Sequence, residues 1–147
     1  MAKQLDDRAL ADFSRRWFTL WTEGDPKARS EQVADLWAAN GAQVLVDPPQ
    51  AMRDAVTELA FPVPRLEVRG HDEMDRRVTR AYEMFVGPGE YTFQATGDRD
   101  AVLLAPGLVG LAWDMVTVAD GTVVGGGYDV LVLDDDGRIV LDHQHIL

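Results

Sequence analysis

Gly127-Tyr128-Asp129-Val130-Leu131-Val132-Leu133 is an alternating run that ends in Asp134-Asp135-Asp136-Gly137. Side chains of period two line opposite faces of a strand, and Asp-Gly is a hairpin signal. The same period holds from residue 90 onward. It predicts strands near 90–96, 100–105, 108–119, 122–133 and 138–146, joined through Pro106-Gly107, Asp120-Gly121 and Asp136-Gly137. Gly125-Gly126-Gly127 inside one strand predicts a bulge or sharp bend that curls the sheet.

Before residue 90 the period is helical. Leu10, Phe13, Trp17, Leu20 and Trp21 recur at three- and four-residue steps; Asp6 or Asp7 caps the start and Gly24-Asp25-Pro26 ends the run. A second helix is expected from an N-cap at Ser30 through Val33, Leu36 and Trp37 to Asn40-Gly41. A third carries Met74, Val78, Ala81 and Phe85 and stops at Gly87-Pro88-Gly89, with His71 in its cap region. Residues 48–70 are long for a plain loop and suit a lid or wall over a pocket. Helices first and an antiparallel meander afterwards define one α+β domain over residues 1–147.

The functional clue is carboxylates on strands. Asp47 closes Val44-Leu45-Val46-Asp47 before Pro48-Pro49, and Asp129 sits inside the alternating run. Desolvating a carboxylate among core positions costs several kcal/mol unless it is paired, kept neutral or used in chemistry. Asp47 also fits a plain strand end, since Asp-Pro starts turns.

Composition narrows the classes. Of 147 residues, 46% are hydrophobic and 27% charged, an ordinary globular balance. Fourteen Lys and Arg against 25 Asp and Glu leave a net charge of −11, and beyond residue 97 only Arg99 and Arg138 oppose nine aspartates. Such a surface repels nucleic acid and anionic membranes. The absence of cysteine removes disulfides and thiolate metal sites. The first residues lack the apolar core of a signal peptide, so a cytoplasmic location is expected.

The order of helix, helix, short strand ending Asp-Pro, helix and curled sheet resembles the nuclear-transport-factor-2-like superfamily, in its SnoaL-like polyketide cyclase and ketosteroid-isomerase-like branch. Local cues are Trp21-Thr22-Glu23-Gly24-Asp25, Val46-Asp47-Pro48 and Gly127-x-Asp129 followed by Asp136-Gly137-Arg138-Ile139. The resemblance implies a cone-shaped sheet wrapped around N-terminal helices and a homodimer formed by the outer face. It also implies a cofactor-free isomerase or cyclase acting on a hydrophobic polyketide-, terpenoid- or steroid-like molecule. Asp47 falls where ketosteroid isomerases place their base, and Asp129 where they keep a neutral aspartic acid, a pairing used as a standard case of pKa tuning. Trp17 stands in place of their tyrosine and becomes a pocket wall.

The resemblance further places Asp114, Asp142, Gln144 and Leu131 toward the interior. Trp113, Met115, His143 and His145 then point outward. Asp114 takes the place of the acid in limonene-type epoxide hydrolases, although Ala112 replaces their arginine and Gln144 their second aspartate. Asp142 matches the late-strand base of SnoaL-like cyclases. The pair His143-x-His145 lacks a third ligand on its face, so no metal is expected. A domain that binds a small apolar ligand without chemistry, or serves as a dimeric partner, is the competing reading.

Overall fold

The structure, a computed structural model, describes residues 5–46, 54 and 66–147. Among these, three α-helices pack on one face of a curved seven-stranded sheet. The helices are α1 (Asp7–Thr22), α2 (Pro26–Leu36) and α3 (Gly70–Ala81). The strands are β1 (Trp37–Val46), β2 (Leu66–Arg69), β3 (Tyr91–Ala95), β4 (Val102–Ala105), β5 (Leu108–Thr117), β6 (Val123–Leu133) and β7 (Ile139–Ile146). Sheet order is β2-β1-β7-β6-β5-β3, with β4 added to β5; β1 and β7 run parallel and the other pairs antiparallel.

Helix α1 starts where the carboxylate of Asp6 accepts from Ala9 N–H at 2.8 Å. Its apolar stripe buries Leu10, Phe13, Trp17, Leu20 and Trp21. Helix α2 begins earlier than its apolar pattern implies. Asp25 caps it through Ala28 N–H, and Pro26 occupies the first turn, where its missing N–H costs nothing. It also ends earlier, at Leu36, because Trp37 already belongs to β1.

Asn40-Gly41, expected to stop a helix, is instead an irregularity within β1, where the register against β7 shifts between Trp37 and Ala42. A Cβ at Gly41 would press on the carbonyl oxygen of Ile139, so only glycine lets the two strands approach there. After α3 the chain widens into a π-turn over Tyr82–Val86 before the Gly87-Pro88-Gly89 stop.

The core lies between the helices and the inner face of β1, β5, β6 and β7. Leu20, Leu36, Val78, Val109, Leu111, Leu131 and Ile139 are almost wholly buried there. The bulge expected at the glycine run lies just before it: Gly125, Gly126 and Gly127 pair regularly with Met115, Asp114 and Trp113, while Val116 pairs with Val123 and leaves Val124 as the extra residue. Among the described residues no helix is long and apolar enough to cross a membrane.

Candidate functional site

Between α1, α3 and the inner face of β3, β5, β6 and β7 lies a cavity of about 570 Å³, within the range of small-molecule sites. Its walls are mostly apolar: Trp17, Phe18 and Trp21 from α1, Met84 and Phe85 from the π-turn, and Phe93, Trp113 and Met115 from the sheet. Its polar groups are Gln144 from β7 and Arg77 and Arg80 from α3.

Behind Gln144 and Trp113 two carboxyl groups meet. Asp129 on β6 and Asp142 on β7 have no exposed surface. Asp129 accepts from Trp113 Nε1 at 2.7 Å and from the Gln144 amide at 3.2 Å. Asp142 Oδ2 accepts from Gln43 Nε2 on β1 at 2.8 Å. Two ionised carboxylates cannot share such a site without large repulsion. Burial, then the charge of Asp129, then a hydrogen bond given to Asp129 raise Asp142 well above the usual carboxylate range; Gln43 and Arg77 oppose this. Burial also raises Asp129, but bonds received from Asp142, Trp113 and Gln144, with the charge of Arg77, hold it back. The proton therefore resides on Asp142. Its acid O–H is the hydrogen bond given to Asp129.

Arg77 completes the cluster. One guanidinium N–H donates to Gln144 Oε1 at 3.2 Å, and the group lies 5.3 Å from the Trp21 ring centroid. Gln144 has a single workable orientation. Arg77 can only donate and ionised Asp129 can only accept, so the amide oxygen faces the arginine and the amide nitrogen faces the aspartate. Burial lowers the pKa of Arg77 while Asp129 and Asp142 raise it, and a guanidinium remains charged throughout.

Two glycines make this geometry possible. A Cβ at Gly127 would collide with the Trp113 indole and the carbonyl oxygen of His145, so the bare backbone lets Trp113 lie across β6 toward Asp129. A Cβ at Gly126 would crowd the Trp113 carbonyl oxygen at 2.7 Å.

Trp17 and Gln144 line the cavity. Asp129 and Asp142 come together, one layer behind its wall. Leu131 is packed in the core with no exposed surface and does not line the cavity. Asp47 lies outside the described residues.

Asp114 does not face the interior as the resemblance implied. Leu111 pairs with Asp129 and Trp113 with Gly127, so the odd-numbered residues of β5 share the face of Asp129. Trp113 and Met115 therefore face the cavity, and Asp114 turns to the outer face, where it accepts from Thr96 Oγ1 at 2.8 Å. A register one residue off reverses every side chain, and the bulge at Val124 is what sets it. The epoxide-hydrolase reading loses its acid by this turn.

Arg77, Arg80, Gln43 and Trp113 were not anticipated as site residues. A signal for Arg77 existed: it stands three residues after Met74 and four before Ala81, on the buried face of α3. His143 and His145 pair with Val130 and Tyr128 on the outer face, as expected, and among the described residues no cluster suited to a metal ion occurs.

This architecture is similar to that of a proposed isomerase of the SnoaL-like family from Agrobacterium tumefaciens (TM-score 0.70, 21% identity, 94% of this chain and 97% of that one). The fold is SnoaL-like. A SnoaL-like protein of unknown function from Burkholderia thailandensis matches at TM-score 0.64 and 17% identity, over 98% of this chain and 99% of that one. A proposed polyketide cyclase from Sinorhizobium meliloti matches at TM-score 0.57 and 15% identity, over 97% and 99%. No family model matches the chain, and no curated protein matches it in sequence. A SnoaL-like fold hosts many chemistries, so the cavity and its polar end carry the functional argument.

Proposed function

We propose that this SnoaL-like chain is a cofactor-free enzyme of the isomerase or cyclase type that moves a proton on a hydrophobic polyketide-, terpenoid- or steroid-like molecule. The observation behind this reading is a proton-holding carboxyl pair set behind the polar end of an otherwise apolar cavity. Perturbed carboxyl groups concentrate at functional sites. When a carbon acid beside a carbonyl loses its proton, charge accumulates on the oxygen, and a fixed donor in a dry site stabilises it. Arg77 is that donor. Asp129 and Asp142 act as positioning residues: they orient Gln144 and Trp113 and balance the arginine. Asp47 is the general base in this proposal, on its strand-end position in the sequence alone. The structural similarity to a proposed isomerase and a proposed polyketide cyclase agrees with the reaction type.

The test is deuterium incorporation from heavy water at the α-carbon of hydrophobic ketones and β-keto acids that bind the protein, followed by NMR. Exchange well above buffer that falls at least about a hundredfold in Asp47→Asn, in line with loss of a general base, supports the reading. Binding without exchange in the wild type sinks it. One observation favours the competing reading, a ligand-binding domain without chemistry: neither carboxyl of the buried pair lines the cavity.

A homodimer through the outer face of the sheet, where Tyr128, Val130 and His143 stand, belongs to the same proposal. Sedimentation equilibrium showing a monomer would remove that part.

A further inference from the structure

Resting on the reading of the cavity as a ligand site, we infer that its ligand is an amphipathic anion: an apolar, ring-sized body carrying one carboxylate or similar oxyanion that docks on Arg77. The charge pattern points this way. The chain carries a net charge of −11, yet among the described residues the only charged side chains lining the cavity are those of Arg77 and Arg80, three residues apart on α3. The acidic pair behind the wall holds one proton and balances one cation, which leaves the described wall of the cavity with the positive charge of a second arginine.

Arg77 is also under-used. A guanidinium has five N–H donors. Among the described residues Arg77 gives one hydrogen bond, to Gln144, and makes no ion pair within 4 Å, while its Nε–H has no acceptor. The Trp21 ring and Gln144 hold its plane in place. Arg80 has no hydrogen bond or ion pair among the described residues. A fork of this kind, fixed in an apolar wall, matches a planar oxyanion in shape and charge.

The test uses two probes with one ring system: 1-anilinonaphthalene-8-sulfonate and its neutral parent N-phenyl-1-naphthylamine. Binding is read by energy transfer from Trp17, Trp21 and Trp113, all in the cavity wall. Without a cation in the pocket, desolvation and the negative protein would make the sulfonate the weaker ligand. The wild type is expected to bind it about ten- to a hundredfold more tightly than the neutral probe, the range of a charge-assisted hydrogen bond. Arg77→Met should reduce that ratio to about one or below, with the neutral probe's Kd changed by less than about threefold. Arg80→Gln, an exposed position, should lower it by about two- to threefold and serves if Arg77→Met does not fold.

A wild type that binds the neutral probe as well as, or better than, the sulfonate overturns the anion inference and leaves the cavity reading standing. A wild type that binds neither overturns the cavity reading itself. A ratio that survives both substitutions places the sulfonate elsewhere and refutes the role of Arg77.

Discussion

Asp142→Asn should make the protein more stable at neutral pH, by an amount that grows with pH. In the folded protein Asp142 keeps its proton, because burial and the charge of Asp129 raise it well above the usual range. In the unfolded chain an aspartate releases its proton near pH ~3.9. Between those two values the folded state binds one more proton than the unfolded state. Stability is then lost as pH rises, at about 1.4 kcal/mol per pH unit for each proton of difference. Asparagine does not titrate, so this loss is absent in the variant.

The local bonds survive the change. The asparagine oxygen accepts from Gln43 as Asp142 Oδ2 does, and its amide N–H replaces the acid O–H given to Asp129. Urea unfolding of both proteins across a pH series should therefore yield curves that diverge above the unfolded value, with a slope approaching about 1.4 kcal/mol per pH unit. They should run parallel only beyond the folded value of Asp142. Curves parallel from the start, or a variant less stable at every pH, would show that Asp142 does not hold the proton.

Asp129→Asn should do the opposite and destabilise by about 1–3 kcal/mol, since one amide cannot accept from Trp113, Gln144 and Asp142 together; equal effects for the two asparagine variants would refute the assignment of the charge. Trp113→Phe deletes the 2.7 Å bond to Asp129 and should cost about 1.5–3 kcal/mol by urea unfolding, while Trp17→Phe, whose indole makes no hydrogen bond among the described residues, should cost less. Gly127→Ala drives a methyl into the Trp113 ring and should cost about 1–3 kcal/mol with a loss of near-ultraviolet tryptophan dichroism; an unchanged spectrum would mean that Trp113 does not lie across β6.

Much of the architecture follows from local pattern. The helical period of Leu10, Phe13, Trp17, Leu20 and Trp21 and the period-two runs after residue 90 each needed one face buried, and the turns Pro106-Gly107, Asp120-Gly121 and Asp136-Gly137 are hairpin chemistry readable on the spot. Trp37 begins a strand and does not end a helix; an apolar residue looks the same in sequence at either place, and the cap at Asp25 and the irregularity at Gly41 decide between them.

For the site, sequence alone pointed to acidic groups on strands, and it named Asp129, Asp142 and Gln144 because period two on β6 and β7 is unbroken between them. It erred at Asp114, where the register across the β5–β6 pair depends on a single extra residue at Val124. Arg77 joined the cluster only through tertiary structure. Helical periodicity puts it on the buried face of α3, but what that face meets is set by how α3 crosses the sheet. Where the proton sits is a still longer-range matter. It depends on four strands and one helix bringing Gln43, Trp113, Asp129, Asp142 and Arg77 together, and no segment of the chain contains that cluster by itself.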